Sequence, residues 1–299
     1  MTKTYLRTTG LLPVGAFVTC LFLIPLLNMF AYSFLTQKGF ADASLPWTLA
    51  NLIEAMTVKN LGIFLKSLAI STSVAMTAFV LGLGCAFHLA KRVSKRRQYV
   101  FLFLLTLPFW TSSLARLYGW YFFLGASGPL NGLMMWLGVT SKPLNLLFNE
   151  GAYFLGLLYN NITYMILPLY GIFAKIDDDL IQAATDLYAS QWRLWTEVLI
   201  PMTSPGWIAG GLLVLISSLT DFVTAEVLCG SKNLFAANLI QNQFLVARNW
   251  PLGSAMALGF FILSLTALGA ALLFVAHKIP YSMRRERWLA TLGESLTNG

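Results

Sequence analysis

Residues 175–205 read KIDDDLIQAATDLYASQWRLWTEVLIPMTSP, and the two stretches on either side, 152–174 and 206–228, contain only two formal charges, Asp221 and Glu226. A largely polar interval of 31 residues is far longer than a connector between packed elements, so it is expected to carry structure of its own. Asp177, Asp178 and Asp179 suit the cap and first turn of a helix, where carboxylates accept from free N–H groups and meet the positive end of the dipole. Leu180, Ile181, Ala184 and Leu187 then recur at helical spacing, as do Trp192, Trp195 and Leu199. Pro201 and Pro205 stop the second run. The pattern predicts two short helices lying along the cytoplasmic surface of a membrane, with an apolar span before and after them.

Outward from this loop the 299-residue chain stays apolar. Hydrophobic residues make up 57% of it and charged residues 11%, against about 25% charged in a soluble domain; the mean hydropathy is +0.69. Too little polar surface remains to cover one soluble core, which excludes a disordered chain, a soluble enzyme and a disulfide-stapled secreted scaffold. A bilayer crossing takes about 20 apolar residues, and six stretches meet that length, at about 11–35, 66–90, 99–124, 152–174, 206–228 and 253–277. The fold expected is an all-α integral membrane protein, a single transmembrane domain over residues 1–299. Residues 128–139 are apolar but only 12 long, which reads as a re-entrant or interfacial helix. The first span follows Lys3 and Arg7 as a signal peptide would, but its run is too long and no A-x-A site follows.

Lys and Arg set the orientation. With the N-terminus inside, Lys3, Arg7, Lys91, Arg92, Lys95, Arg96, Arg97, Lys175, Arg193, Lys278, Arg284, Arg285 and Arg287 fall on the inner side, 13 in all. Lys38, Lys59, Lys66, Lys142, Lys232 and Arg248 fall outside, 6 in all, and Arg116 lies within a span. The asymmetry predicts both termini in the cytoplasm. It also accounts for the net charge of +8 without nucleic acid, because the cations gather beside the spans.

Motifs of soluble catalysis are absent: no GxxxxGK[ST], no GxGxxG and no HExxH occur, and no catalytic or metal-binding residue is assigned. Cys20, Cys85 and Cys229 are scattered apolar packers without CxxC spacing. His88 and His277 sit at span ends and read as interfacial residues. Ionisable groups inside spans carry more information, since a charge at membrane depth costs several kcal/mol unless it is paired or used. Arg116 and Asp221 lie about 17 and 15 residues into their spans, hence at matching depths of roughly 22 to 26 Å from the cytoplasmic face. Two readings follow: a structural ion pair, or an acidic, aromatic-lined path for a cation built from Asp221 and Glu226 near Trp110, Tyr118 and Trp120. Pro25, Pro108 and Pro168 predict kinks. Asn160 and Asn161 need polar partners in mid-span, and Gly206-x-x-x-Gly210 allows close helix approach.

Within the loop, Gln182-Ala183-Ala184-Thr185-Asp186-Leu187-Tyr188-Ala189-Ser190, followed by Val198-Leu199-Ile200-Pro201 and Pro205-Gly206, resembles the EAA loop of ABC importer permeases. That pattern is E-A-A-x-D-L-G-A-S and then an apolar helix ending in proline; Gln182 replaces its Glu and Tyr188 its Gly. The resemblance implies that Gln182, Ala183, Ala184, Asp186, Leu187, Tyr188 and Ala189 form a coupling helix that seats in a groove of an ATPase subunit. It extends to the spermidine/putrescine permease branch through Leu107-Pro108-Phe109-Trp110-Thr111-Ser112-Ser113-Leu114-Ala115-Arg116-Leu117-Tyr118, Gly230-Ser231-Lys232-Asn233-Leu234, Gln243-Phe244 and Asn249-Trp250-Pro251-Leu252-Gly253. It implies a bacterial inner-membrane heterodimer with a second permease, an ATPase dimer holding ATP and Mg, and an extracytoplasmic binding protein, with no cofactor on this chain and no nucleic-acid partner. Related branches carry opines, other cations or iron. A secondary transporter driven by an ion gradient would instead show interrupted helices in matched repeats, and it would leave the long loop without a task.

Overall fold

The computed structural model describes residues 2–39, 42–187, 190–230 and 234–278. Helix α1 (Thr2–Ser33) is followed by an antiparallel hairpin, β1 (Leu35–Gly39) and β2 (Asp42–Trp47), in which Leu35 pairs with Trp47 and Thr36 with Ser44. Next come α2 (Ala50–Ala55), α3 (Val58–Lys91), α4 (Lys95–Trp110), α5 (Ser113–Leu124), α6 (Pro129–Trp136), α7 (Glu150–Phe173) and α8 (Asp178–Leu187). α9 (Gln191–Arg193), a π-helical turn over Leu194–Leu199 and α10 (Ile200–Met202) run on from one another into α11 (Ser204–Thr220). α12 (Phe222–Thr224) leads into a second π-helical turn, Ala225–Cys229, and α13 (Ala236–Leu245) and α14 (Trp250–Lys278) complete the described chain.

Three helical stretches, Gly15–Ser33, Val58–Lys91 and Trp250–Ala270, are long and apolar enough to cross a membrane unaided. Three bent pairs reach the same length together, which makes six spans if each pair is one. In Gly15–Ser33 the apolar residues lie all round the helix, and Phe17, Phe22, Ile24 and Leu27 are exposed. Such a surface belongs in hydrocarbon, where a helix satisfies its own backbone groups.

Two compact units divide the chain. The first comprises residues 1–67 and 234–263. Its core is Ala55, Leu252, Ala255 and Met256, flanked by Leu52, Leu239 and Ile240. Phe64 stacks on Phe260 with centroids 5.2 Å apart, and Ser67 Oγ accepts from the Ala236 N–H at 2.8 Å, which satisfies a free donor at the start of α13.

The second unit, residues 68–233 and 264–299, is built on the pairing of α7 with α11. Gly206 meets Pro168 and Leu169, Gly210 meets Tyr164 and Met165, and Asn161 Nδ2 donates to Ser218 Oγ at 3.3 Å. One number rises as the other falls, so the two helices are antiparallel. The Gly206-x-x-x-Gly210 spacing is used: a Cβ on Gly210 would stand 3.1 Å from both the Met165 Cα and the Tyr164 carbonyl oxygen. Only glycine lets the backbones come this close.

The sequence leads one to expect residues 99–124 and 206–228 as continuous spans, and both are interrupted. The first breaks at Thr111 and Ser112, whose backbones are extended, with a 95° bend between Lys95–Trp110 and Ser113–Trp136. Pro108 contributes by removing an N–H from the last turn of α4. The second breaks at Asp221, with ψ of 91°. Pro25 and Pro168, in contrast, are carried inside helices with no break. Within 128–139, the helix covers Pro129–Trp136 and opens on its proline.

Candidate functional site

Both helix breaks open onto one polar cleft of about 270 Å³ inside the second unit. Ser113, Arg116 and Leu117 line it from α5, Asn160, Asn161 and Tyr164 from α7, and Ser217, Thr220, Asp221 and Val223 from the other break. Tyr164, Ser217 and Thr220 escaped notice in the sequence, and Ser113 was named only within the stretch from Leu107 to Tyr118. Their signal was present as polar residues three or four apart within apolar spans, a spacing that puts them on one helix face.

Arg116 and Asp221 both line this cleft, but no salt bridge joins them. Each is bound to a helix end of the opposite partial charge. Arg116 Nη1 donates to the Pro108 carbonyl at 2.7 Å, at the negative C-terminal end of α4. Asp221 caps α12: its Oδ1 accepts from the Thr224 N–H at 2.9 Å and its Oδ2 from the Thr224 hydroxyl at 2.5 Å. A broken helix leaves backbone groups without partners, and in a membrane no water makes up the loss. Each charge offsets part of that cost, about 1 kcal/mol for a good cap and up to about 2 kcal/mol for a partly buried charge at a dipole end. The two charges come to one cleft because both helix breaks open onto it. The Arg116 guanidinium also lies 5.9 Å from the Tyr159 ring centre.

Arg116 Nε and Asn160 Oδ1 are buried with no hydrogen-bond partner among the described residues, although Asn160 Nδ2 donates to Thr224 Oγ1 at 3.3 Å. Two cleft residues thus keep unspent polar capacity, one donor and one acceptor. Of the other residues expected on a cation path, Trp110 is 84% exposed, Tyr118 is 48% exposed, Glu226 is also exposed and Trp120 is half-buried; none lines the cleft.

The loop 175–205 holds the helix α8 and, beyond Ser190, α9 with its π-helical turn. Trp195 packs edge-on against Phe87 with centroids 4.9 Å apart, Phe87 against Phe173 at 5.5 Å, and Leu194 and Leu199 are buried. Pro201, which has no N–H to donate, lies in the first turn of α10, one residue beyond the π-helical turn, so the helical path runs past it. Of the proposed docking residues, Gln182, Ala183, Asp186 and Leu187 are exposed, whereas Ala184 is covered by the chain itself and only 8% exposed. Tyr188 and Ala189 lie outside the described residues.

Comparison with solved structures places the fold. A bacterial ABC transporter that imports the acidic polysaccharide alginate contains a chain superposing with a TM-score of 0.72 at 14% identity, over 93% of this chain and 98% of that one. A structure of a bacterial alginate ABC transporter in complex with a pentasaccharide-bound periplasmic protein gives 0.67 at 15% identity, over 90% and 93%. The fold is shared with these ABC importer chains, and its helices make up to six spans. Residues 78–279 match the family model of binding-protein-dependent transport system inner membrane components, and the chain belongs to that family. It is 39% identical to the spermidine/putrescine transport system permease protein PotB of Haemophilus influenzae, over 88% of this chain and 90% of that protein. Identity to PotB of Escherichia coli is 38%, over 82% and 88%.

Proposed function

We propose that this chain is the membrane-spanning permease subunit of an ATP-driven importer of polyamines such as spermidine and putrescine. The observation that carries the reading is the 39% identity to a spermidine/putrescine permease across nearly the full length of both chains. The cleft is compatible with such a solute. Asp221 supplies a carboxylate and Asn160 Oδ1 an unsatisfied acceptor, and an ammonium group only donates. Arg116 lines the same cleft, with its guanidinium held at the α4 C-terminus by the bond to the Pro108 carbonyl. Trp110, Tyr118 and Glu226, exposed on this subunit, extend the path toward the surface that a second permease covers.

In this reading the N- and C-termini and the loop 175–205 are cytoplasmic, in agreement with the 13 to 6 division of cations. The outward face of α8 (Gln182, Ala183, Asp186, Leu187) and the residues after it, Tyr188 and Ala189, seat on an ATPase dimer that holds ATP and Mg. The chain itself carries no catalytic residue and no cofactor. An extracytoplasmic binding protein delivers solute on the other side, and ATP turnover pulls the loop to alternate the access of the bundle. The test is uptake of labelled putrescine and spermidine by proteoliposomes holding both permeases, the ATPase and the binding protein. Uptake is expected to require ATP, to stop with vanadate and to survive collapse of ion gradients. Vanadate-resistant uptake that needs a proton gradient would refute it.

A further inference from the structure

At the end of α3, where the basic turn begins, stands a lysine whose only part in the reading above is to set orientation. Lys91 is the last residue of α3, and its side chain is only 9% exposed. Its Nζ donates to the Ile176 carbonyl and to Asp178 Oδ1, the latter at 2.7 Å. Asp178 is the first residue of α8, and its side chain is 69% exposed. The pair therefore ties the negative end of one helix to the positive end of another, each charge matching the dipole it sits on. The Lys91 ammonium holds the Asp178 carboxyl below its usual pKa, with a further contribution from Lys95.

The bond reaches deeper than the loop surface. Gln98, buried near the start of α4, donates through Nε2 to the Ala90 carbonyl at 3.2 Å and the Val93 carbonyl at 2.9 Å. Its Oε1 accepts from the Tyr170 hydroxyl of α7 at 3.2 Å. The C-terminus of α3, the N-terminus of α4, the C-terminus of α7 and the first turn of α8 are thus held in one polar knot. Beyond α8, the loop meets α3 through the apolar contact of Phe87 with Trp195.

We propose that Lys91 is a positioning residue for energy coupling, whose two bonds at Ile176 and Asp178 deliver displacement of the coupling helix α8 to α3 and α4. The proposal rests on the importer reading above. A buried cation that loses such bonds forfeits charge-assisted hydrogen bonds, whereas α8, held elsewhere against the π-helical turn, keeps its outward face for the ATPase. The ATPase then turns over on a loop that no longer drags the bundle.

The test uses the complete transporter, with both permeases, ATPase and binding protein in proteoliposomes, and measures ATP hydrolysed per solute imported. Lys91→Met keeps the aliphatic length and removes the charge. It is expected to leave membrane level and ATPase recovery within about twofold of the unmodified complex while raising ATP per solute roughly tenfold, the worth of one charge-assisted bond. Lys91→Arg, which can reach both acceptors, is expected to restore the ratio. Asp178→Asn alters an exposed side chain, so it does not endanger folding; it leaves the Ile176 bond and is expected to raise the ratio roughly two- to threefold. An unchanged ratio in both Lys91→Met and Asp178→Asn overturns the proposal. So does a parallel fall in complex recovery, hydrolysis and uptake at constant ratio, which marks a brace of the fold and nothing more. If the unmodified complex shows no ATP-driven uptake, the importer reading has failed instead.

Discussion

Replacing Gly210 with alanine adds one methyl group at the tightest backbone contact between α7 and α11. The new Cβ would stand 2.9 Å from Met165 Sδ, 3.1 Å from Met165 Cα and 3.1 Å from the Tyr164 carbonyl oxygen. The thioether can swing aside, since methionine is flexible; the Cα and the carbonyl belong to a helix backbone and cannot. The helices must therefore part by several tenths of an ångström along an interface that also positions Asn160 and Asn161. Overpacking of this kind costs about 1–3 kcal/mol. The gain in helix propensity on going from glycine to alanine, about 1 kcal/mol, offsets part of it. The neighbouring glycine provides the control: at Gly211 the nearest atom to a new Cβ is Met165 Cε at 3.8 Å, an ordinary contact, so Gly211→Ala keeps the propensity gain without the clash. The two variants are expected to differ by about 1–3 kcal/mol, with Gly210→Ala the less stable. Thermal unfolding of purified protein in one detergent at one scan rate separates them, at roughly 2–4 °C per kcal/mol for a domain of 150–250 residues. Equal midpoints for Gly210→Ala and Gly211→Ala would refute the claim that backbone contact at Gly210 sets the α7–α11 spacing.

Asp221→Asn retains a capping side chain but removes the charge, so protein level is expected to hold while polyamine uptake falls about tenfold, the equivalent of about 1.4 kcal/mol; normal uptake would remove Asp221 from the solute path. The exchange Arg116→Asp with Asp221→Arg is expected to lose both folded protein and transport, because an aspartate at 116 cannot donate to the Pro108 carbonyl and an arginine at 221 cannot accept from the Thr224 N–H and hydroxyl; recovery of transport would show that the two residues act as a pair. On α8, Ala183→Glu is expected to leave the permease in the membrane while ATPase recovery falls several-fold, because a glutamate there adds bulk and charge to the outward face. Ala184→Glu instead forces a carboxylate into a covered site and is expected to lower permease level as well; the reverse ranking of the two would show that α8 presents its other face to the ATPase.

The apolar stretches and the loop between the fourth and fifth of them were legible because they depend on local composition and period. A run of about 20 apolar residues has few places to go but a bilayer, and Asp177 to Asp179 ahead of Leu180, Ile181, Ala184 and Leu187 writes a capped amphipathic helix without help from distant residues. The small-residue spacing at Gly206 and Gly210 also announced a close approach, although not the helix that would make it. Tertiary structure alone decided three matters. Depth along a span follows from counting residues, but which group a charge meets depends on where the helix breaks, so Arg116 found the Pro108 carbonyl and Asp221 found Thr224 when each had been open to the other. Period put Ala184 on the apolar face of α8 with Leu180 and Leu187, but only the fold of the rest of the loop covered Ala184 from within the chain and left the two leucines exposed. Lys91 read as one cation among five in a basic turn that sets orientation; its two acceptors lie 85 and 87 residues away in sequence, and no local pattern records a partner that packing must bring from that distance.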